Sequence, residues 1–152
     1  MMDENVFSIQ LQVRDYECDS GNGVNNAIFL NYLEHARMSF LREKLKWDIP
    51  ALIAQDIGFV LVRMEVDFRR SLEAGNEFVI ETVMKRESKR RFLFTQNIFL
   101  LPDRKIVLNG KITATAINIK TGRSETPDIL EGLLGERFPV PTVIVTEQGT
   151  PA

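Results

Sequence analysis

Residues 26–45 read NAIFLNYLEHARMSFLREKL. At 100° per residue, Phe29, Leu33, Ala36 and Phe40 stack into one stripe, flanked by Ile28, Leu30, Tyr32 and Leu41. Asn31, His35, Ser39 and Arg42 fall on the opposite side. The spacing predicts one long helix. Its apolar arc is wide, so other structure should largely enclose it. Asn25 or Asn26 suits the start, because an Asn side chain accepts from the free N–H groups of a first turn.

Around this helix the period is two. Residues 6–14 (VFSIQLQVR) set Phe7, Ile9, Leu11 and Val13 against Ser8, Gln10, Gln12 and Arg14, which predicts a half-buried strand. From Gly58 onward, Val60, Val62, Met64, Val66 and Phe68 alternate with Leu61, Arg63, Glu65, Asp67 and Arg69. Further strands are predicted over residues 77–86, 90–101 and 105–119, with Gly110 marking a bulge or a close approach. The links SLEAGN, RESK and PDR are short and predict antiparallel hairpins between successive strands. DIPALIAQD (48–56) predicts a short second helix, with Asp48 as cap and Pro50 in its first turn. The segment after Thr121 is expected to be partly ordered or frayed.

The order is strand, long helix, four antiparallel strands. An antiparallel sheet needs a cover for its buried face, and this helix is the candidate. The expected fold is α+β, a five-stranded antiparallel sheet wrapped around one central helix. It forms a single domain over 1–152, with a core at about 6–130 and a tail at 131–152. One helix cannot cover five strands alone, so a second copy of the chain should complete the structure.

Composition narrows the class. The chain has 152 residues, 44% apolar and 26% charged, which excludes wholesale disorder. Its 19 basic and 21 acidic residues leave a net charge of −2, which argues against a basic nucleic-acid binder. One cysteine (Cys18) and one histidine (His35) provide no Cys/His cluster for zinc. The longest apolar runs fall far short of the ~18 residues that span a bilayer. The opening MMDENVFSIQ lacks a signal-peptide pattern, so a cytoplasmic location is expected.

The loop Asp15–Val24, running into the helix start, is the most promising chemical locus. Free N–H groups and about half a positive charge at a helix N-terminus favour developing negative charge. Asp19, seven residues before Asn26, can pair a carboxylate with that oxyanion site if the loop folds back. The spacing is equally that of an ordinary turn aspartate. His35 reads as a surface or subunit-contact residue, Glu34 as a partner for Arg37 or a strand, and Cys18 as a small packed residue. The run KRESKRR (85–91) is either a solvated turn or an attractor for phosphates or an acidic protein. Arg69 and Arg70 invite the same reading. Phe92, Phe94 and Phe99 read as core or subunit interface.

The stretch VRDYECDSGNGVNNAIFLNYLEHARMSFLREK resembles the opening of the 4-hydroxybenzoyl-CoA thioesterase-like branch of the hotdog-fold family. The shared features are Tyr16, Asp19, Val24-Asn25-Asn26 and the helix FLNYLEHAR. VDFRRSLEAGNEF is similar to the family's second-strand segment. The wording of the loop is closest to acyl thioesterases similar to plant acyl-lipid and methylketone-pathway enzymes. Where relatives carry Gly three residues after the Asp, this chain has Asn22, which tolerates a left-handed turn.

The resemblance implies a thioesterase acting on an acyl-CoA or acyl carrier protein. Asp19 would be nucleophile or general base, and the Asn26 N–H would polarise the thioester carbonyl. Tyr16 matches an aromatic of the family's site, and Asn25 with the cations Arg69, Arg70, Lys89 and Arg90 are further candidates for binding substrate. No cofactor, metal, nucleic acid or membrane is implied. The implied assembly is a homodimer with an interfacial site, arranged as a dimer of dimers. Rival readings are a non-catalytic acyl-thioester binder, an enoyl hydratase, which would need a His in the site, and an aromatic rather than fatty thioesterase.

Overall fold

A computed structural model describes residues 5–142. The elements in chain order are β1 (Phe7–Gln12), α1 (Asn26–Ser39), α2 (Ile49–Ala54), β2 (Ile57–Phe68), β3 (Glu77–Arg86), β4 (Arg91–Leu100), β5 (Lys105–Asn118) and α3 (Asp128–Leu134). Five antiparallel strands form one sheet in the order β1-β3-β4-β5-β2. The helix α1 packs its Phe29, Tyr32, Leu33 and Ala36 face onto that sheet. This is the sheet-around-helix arrangement that the helix stripe and the strand periods anticipate.

The inner face is a set of rows across the ladder. Met84, Phe94 and Ile112 form one row, and Ile80, Ile98 and Leu108 another. Burying an aliphatic or aromatic side chain of this size contributes about 1.5–3 kcal/mol. Between these rows lies a polar one, Thr82, Gln96 and Gly110. Gln96 Nε2 donates to Thr82 Oγ1 and to the Leu33 carbonyl of α1, each at 3.0 Å. Arg37 Nη1 donates back to Gln96 Oε1 at 2.9 Å. These bonds pin the middle of α1 to β4. Gly110 is a close approach rather than a bulge: a Cβ there would meet Ile112 Cδ1 at 3.2 Å and the Gln96 carbonyl at 3.4 Å.

Two expectations need correction. First, the link after β2 does not make a hairpin, because β2 pairs with β5 and β3 pairs with β1 and β4. The segment 69–76 instead crosses one end of the sheet. Its eight residues reach about 26 Å, ample for three strand spacings of about 14 Å in total. A short link sets strand direction but not which strand becomes the neighbour. Second, β2 does not keep one phase. Its register shifts between Leu61 and Arg63. Phe59 therefore joins Met64 and Val66 against the core, although the two ends of the strand differ in parity. The segment after Thr121 is partly ordered, one of the two outcomes expected of it. Residues 128–134 form α3, and Leu130 and Leu134 are buried in the core. The expectation for residues 143–152 lies outside the described residues.

The caps follow the sequence closely. Asn25 Oδ1 accepts from the Ala27 N–H at 2.8 Å, and Asp48 Oδ1 accepts from the Ala51 N–H at 3.1 Å. The last turn of the long helix, Phe40–Lys44, widens into a π-type turn.

Candidate active site

The loop after β1 folds back as a small hairpin. Cys18 pairs with Val24 as an isolated antiparallel bridge, and the Asp19 N–H donates to the Gly23 carbonyl at 3.0 Å. Asn22 adopts φ 66° and donates its N–H to the Asp19 carbonyl at 2.9 Å. An asparagine thus holds the left-handed turn. Asp19 Oδ1 accepts from the Gly21 N–H at 2.9 Å, so one carboxylate oxygen braces its own turn. Oδ2 has no partner among the described residues, and the side chain is exposed.

The hairpin is tied to the crossing segment 69–76. Gly23 bridges Glu73, and the Val24 N–H donates to the Leu72 carbonyl at 2.8 Å. Leu72 is fully buried and anchors this junction. Two residues past Val24 the helix begins. Asn25 is its cap, and no acidic side chain lies in its first turn. The Asn26 N–H meets no acceptor among the described residues. An unneutralised helix N-terminus with a free donor therefore stands at the end of the sheet that carries Asp19.

Arg69 and Arg70 lie at this same end. Their backbone N–H groups donate to the Val107 carbonyl at 2.7 and 3.2 Å. Both side chains are exposed, and Arg69 Nε donates to Asn109 Oδ1 at 3.2 Å. Tyr16 also belongs to this end and is 78% exposed. Lys89 and Arg90 do not. The Arg90 carbonyl accepts from the Ala116 N–H at 3.0 Å. From Val107 to Ala116 is about 30 Å of extended strand, so within one protomer these two cations sit at the opposite end of the sheet. Their neighbour Arg86 is not solvated at all: it is 4% exposed and paired with Glu131.

Sequence reasoning missed two buried polar links. Tyr32 O–H donates to Glu17 Oε1 at 2.9 Å. Burial first, then the bond to Glu17, pushes the Tyr32 phenol well above its usual pKa, so it remains a donor. A tyrosine on an apolar helix face calls for a hydroxyl partner, and that was the signal available. The other link is Arg37. It bonds Gln96 rather than Glu34, contrary to expectation. Burial lowers its pKa, and the charge of Glu34 opposes that effect. Arg37 and Glu34 line a groove of about 370 Å³ between α1 and β2, otherwise walled largely by apolar groups such as Phe59, Leu61 and Met64. His35 is exposed, and Cys18 is partly buried against the core, both as expected.

Residues 13–146 match the model of the thioesterase-like superfamily. The chain belongs to that superfamily. It is 30% identical over 127 residues to the acyl-acyl carrier protein thioesterase ATL2 of Arabidopsis thaliana, covering 84% of this chain and 67% of that protein. It is also 30% identical over 131 residues to the long-chain acyl-CoA thioesterase FadM of Escherichia coli, covering 85% of this chain and 94% of that one. The crystal structure of the probable thioesterase YbaW from Escherichia coli superposes with a TM-score of 0.71 at 28% identity, covering 84% of this chain and 95% of that one. Family membership places the chain among the thioester hydrolases.

Proposed function

We propose that the protein hydrolyses an acyl thioester carried by CoA or by an acyl carrier protein, with Asp19 as the reacting carboxylate. The observation that carries this reading is the shared end of the sheet. There the hairpin that carries the exposed Asp19 carboxylate runs directly into the start of α1, whose Asn26 N–H has no acceptor among the described residues. The substrate carbonyl oxygen would point at that N–H as negative charge develops on it. Asp19 would either attack the carbonyl carbon, giving a mixed anhydride that water then hydrolyses to the free acid and the Asp19 carboxylate, or take a proton from a water that attacks the carbonyl directly. The thiolate leaves and takes up a proton. The groove between α1 and β2 has a suitable volume and apolar lining for the acyl group. Arg69, which also pairs with Asp67, and Arg70 are exposed cations at this end that could meet CoA phosphates or an acidic carrier surface.

The same reading calls for a second copy of the chain. The edge strand β2 is 12 residues long and leaves Val60, Leu61 and Val62 exposed, Leu61 at 50%. An open apolar edge of this length invites pairing. An isologous antiparallel pairing would reverse the second copy. Its far end, with Lys89 and Arg90, would then approach the Asp19 end of the first.

The test is thiol release from a panel of short, long and aromatic acyl-CoAs, and then acyl carrier protein thioesters, with Asp19→Asn beside the wild type. We expect turnover on at least one ester and a loss of about 10²–10⁴-fold in the variant, with fold and assembly intact. Binding without turnover across both carriers would leave the non-catalytic binder as the correct reading. Full activity in Asp19→Asn would mean that the reacting group lies elsewhere.

A further inference from the structure

Glu17 is a buried carboxylate for which the proposed chemistry has no use. It is 8% exposed and lies two residues before Asp19. Its Oε1 accepts from the Arg14 N–H at 2.7 Å and from the Tyr32 hydroxyl at 2.9 Å. Its carbonyl accepts from the N–H of the helix cap, Asn25, at 3.2 Å. One residue thus bonds the end of β1, the second turn of α1 and the start of α1. No cation forms an ion pair with it among the described residues, and these hydrogen bonds offset the cost of burying it.

The Asp19 hairpin is attached to the molecule on two sides. One side is the crossing segment, through Leu72 and Glu73. The other is Glu17, whose carboxylate reaches the interior of α1. The crossing segment fixes the hairpin relative to the sheet. The Glu17 link fixes it relative to the helix whose N-terminus supplies the oxyanion donor. The spacing between the carboxylate and that donor therefore depends on Glu17 and Tyr32.

We infer that Glu17 and Tyr32 are a positioning pair that sets Asp19 against the Asn26 N–H without touching substrate. This rests on Asp19 being the reacting carboxylate. A misplacement of about 1 Å at a reacting group can cost about 10²-fold in rate.

The experiment compares four variants with the wild type on the best ester from the panel, reading kcat, KM and Tm. Tyr32→Phe removes one hydroxyl and keeps the ring against Phe29 and Phe78. Glu17→Leu removes the acceptor. Glu17→Gln keeps an acceptor oxygen for both donors. Thr82→Val removes a buried hydrogen bond under the middle of the same helix, away from the loop. We expect Tyr32→Phe and Glu17→Leu to lower kcat about 10–100-fold while KM stays within about threefold. Glu17→Gln should restore kcat to within about fivefold of wild type, and Thr82→Val should lower Tm with kcat unchanged. Should Glu17→Leu fail to fold, Tyr32→Phe decides the matter. Equal kcat losses in Tyr32→Phe and Thr82→Val, or full kcat in Tyr32→Phe beside an inactive Asp19→Asn, would overturn the pair alone. Full activity in Asp19→Asn would overturn the reading beneath it.

Discussion

The two ends of the sheet are closed by different means. At the Asp19 end, main-chain groups do most of the joining. Val24 bonds Leu72, Val13 bonds Asn76, Gly75 bonds Val13, and Arg69 and Arg70 bond Val107, all through backbone atoms. At the far end, backbone bonds such as those from the Ala116 N–H to the Arg90 carbonyl and from the Ile119 N–H to the Asp56 carbonyl are joined by a buried side-chain clasp. Arg86 Nη1 donates to Glu131 Oε2 at 3.2 Å and to the Phe138 carbonyl at 3.0 Å, while Nη2 reaches the Lys89 carbonyl at 2.7 Å and Glu131 Oε1. An end joined by its backbone keeps its side chains available for a ligand. The clasp withdraws Arg86 from that role, while Lys89 and Arg90 stay exposed. Within a run of five cations in seven residues, Arg86 is thus a structural fastener, while a less conspicuous loop holds the candidate chemistry.

The largest effect that would test this contrast is at the far end. Glu131→Gln leaves the buried Arg86 guanidinium without its counter-charge, although two carbonyls still accept from it. We expect a loss of about 2–3 kcal/mol, a Tm lower by roughly 5–10 °C, and an unchanged kcat. A fall in kcat at constant stability would show that the far end takes part in the reaction. The hydrogen bond from Arg86 holds the Glu131 carboxyl below its usual pKa, with burial acting in the opposite direction. A depressed carboxyl contributes stability that is present above its unfolded pKa, near 4.3, and lost as pH falls through its folded value. The stability difference between wild type and Glu131→Gln should therefore shrink as denaturation is followed below about pH 4.

An intermediate effect is expected at the site end. Asn25→Ala removes the cap bond to the Ala27 N–H. Chemical denaturation should show a loss of about 1 kcal/mol, and kcat should fall several-fold because the start of α1 is the proposed oxyanion donor. Stability loss with kcat intact would break the link between cap and chemistry. The smallest effect belongs to the double variant Lys89→Ala, Arg90→Ala. Both side chains are exposed, so stability should stay within about 0.5 kcal/mol. KM for a CoA ester should rise modestly at low salt, with the difference disappearing at high salt. A KM indifferent to salt and to these substitutions would place both cations outside the substrate path and count against the antiparallel pairing.

Much of the site was legible because its signals are local. The loop chemistry of residues 15–24, the cap at Asn25 and the tolerance of Asn22 for φ 66° all follow from residue types within a few positions of one another. Asp19 was legible as a turn aspartate and as a candidate carboxylate, and its geometry serves both: Oδ1 braces the turn and Oδ2 faces outward. Illegible were the links that join distant parts of the chain. Tyr32 and Glu17 are 15 positions apart, Arg86 and Glu131 are 45, and Arg37 and Gln96 are 59. The spacing within any one element reports which face is apolar. It does not report which polar group on another element will satisfy a buried one.

The sequence by itself determined the class of fold, the long helix, the five strands, both capped helix starts and the loop that holds the candidate carboxylate. Periodicity, caps and turn residues act over a few positions, so they can be read before the chain folds. Tertiary structure decided the strand order, the phase shift in β2, the insertion of α3 and which cations remain free. Neighbour choice in a sheet depends on where a link can cross, and the fate of a charged side chain depends on what folding brings beside it. That is why Arg86 became a buried clasp while Arg69 and Arg70, from an equally basic pair, stand exposed at the candidate active site.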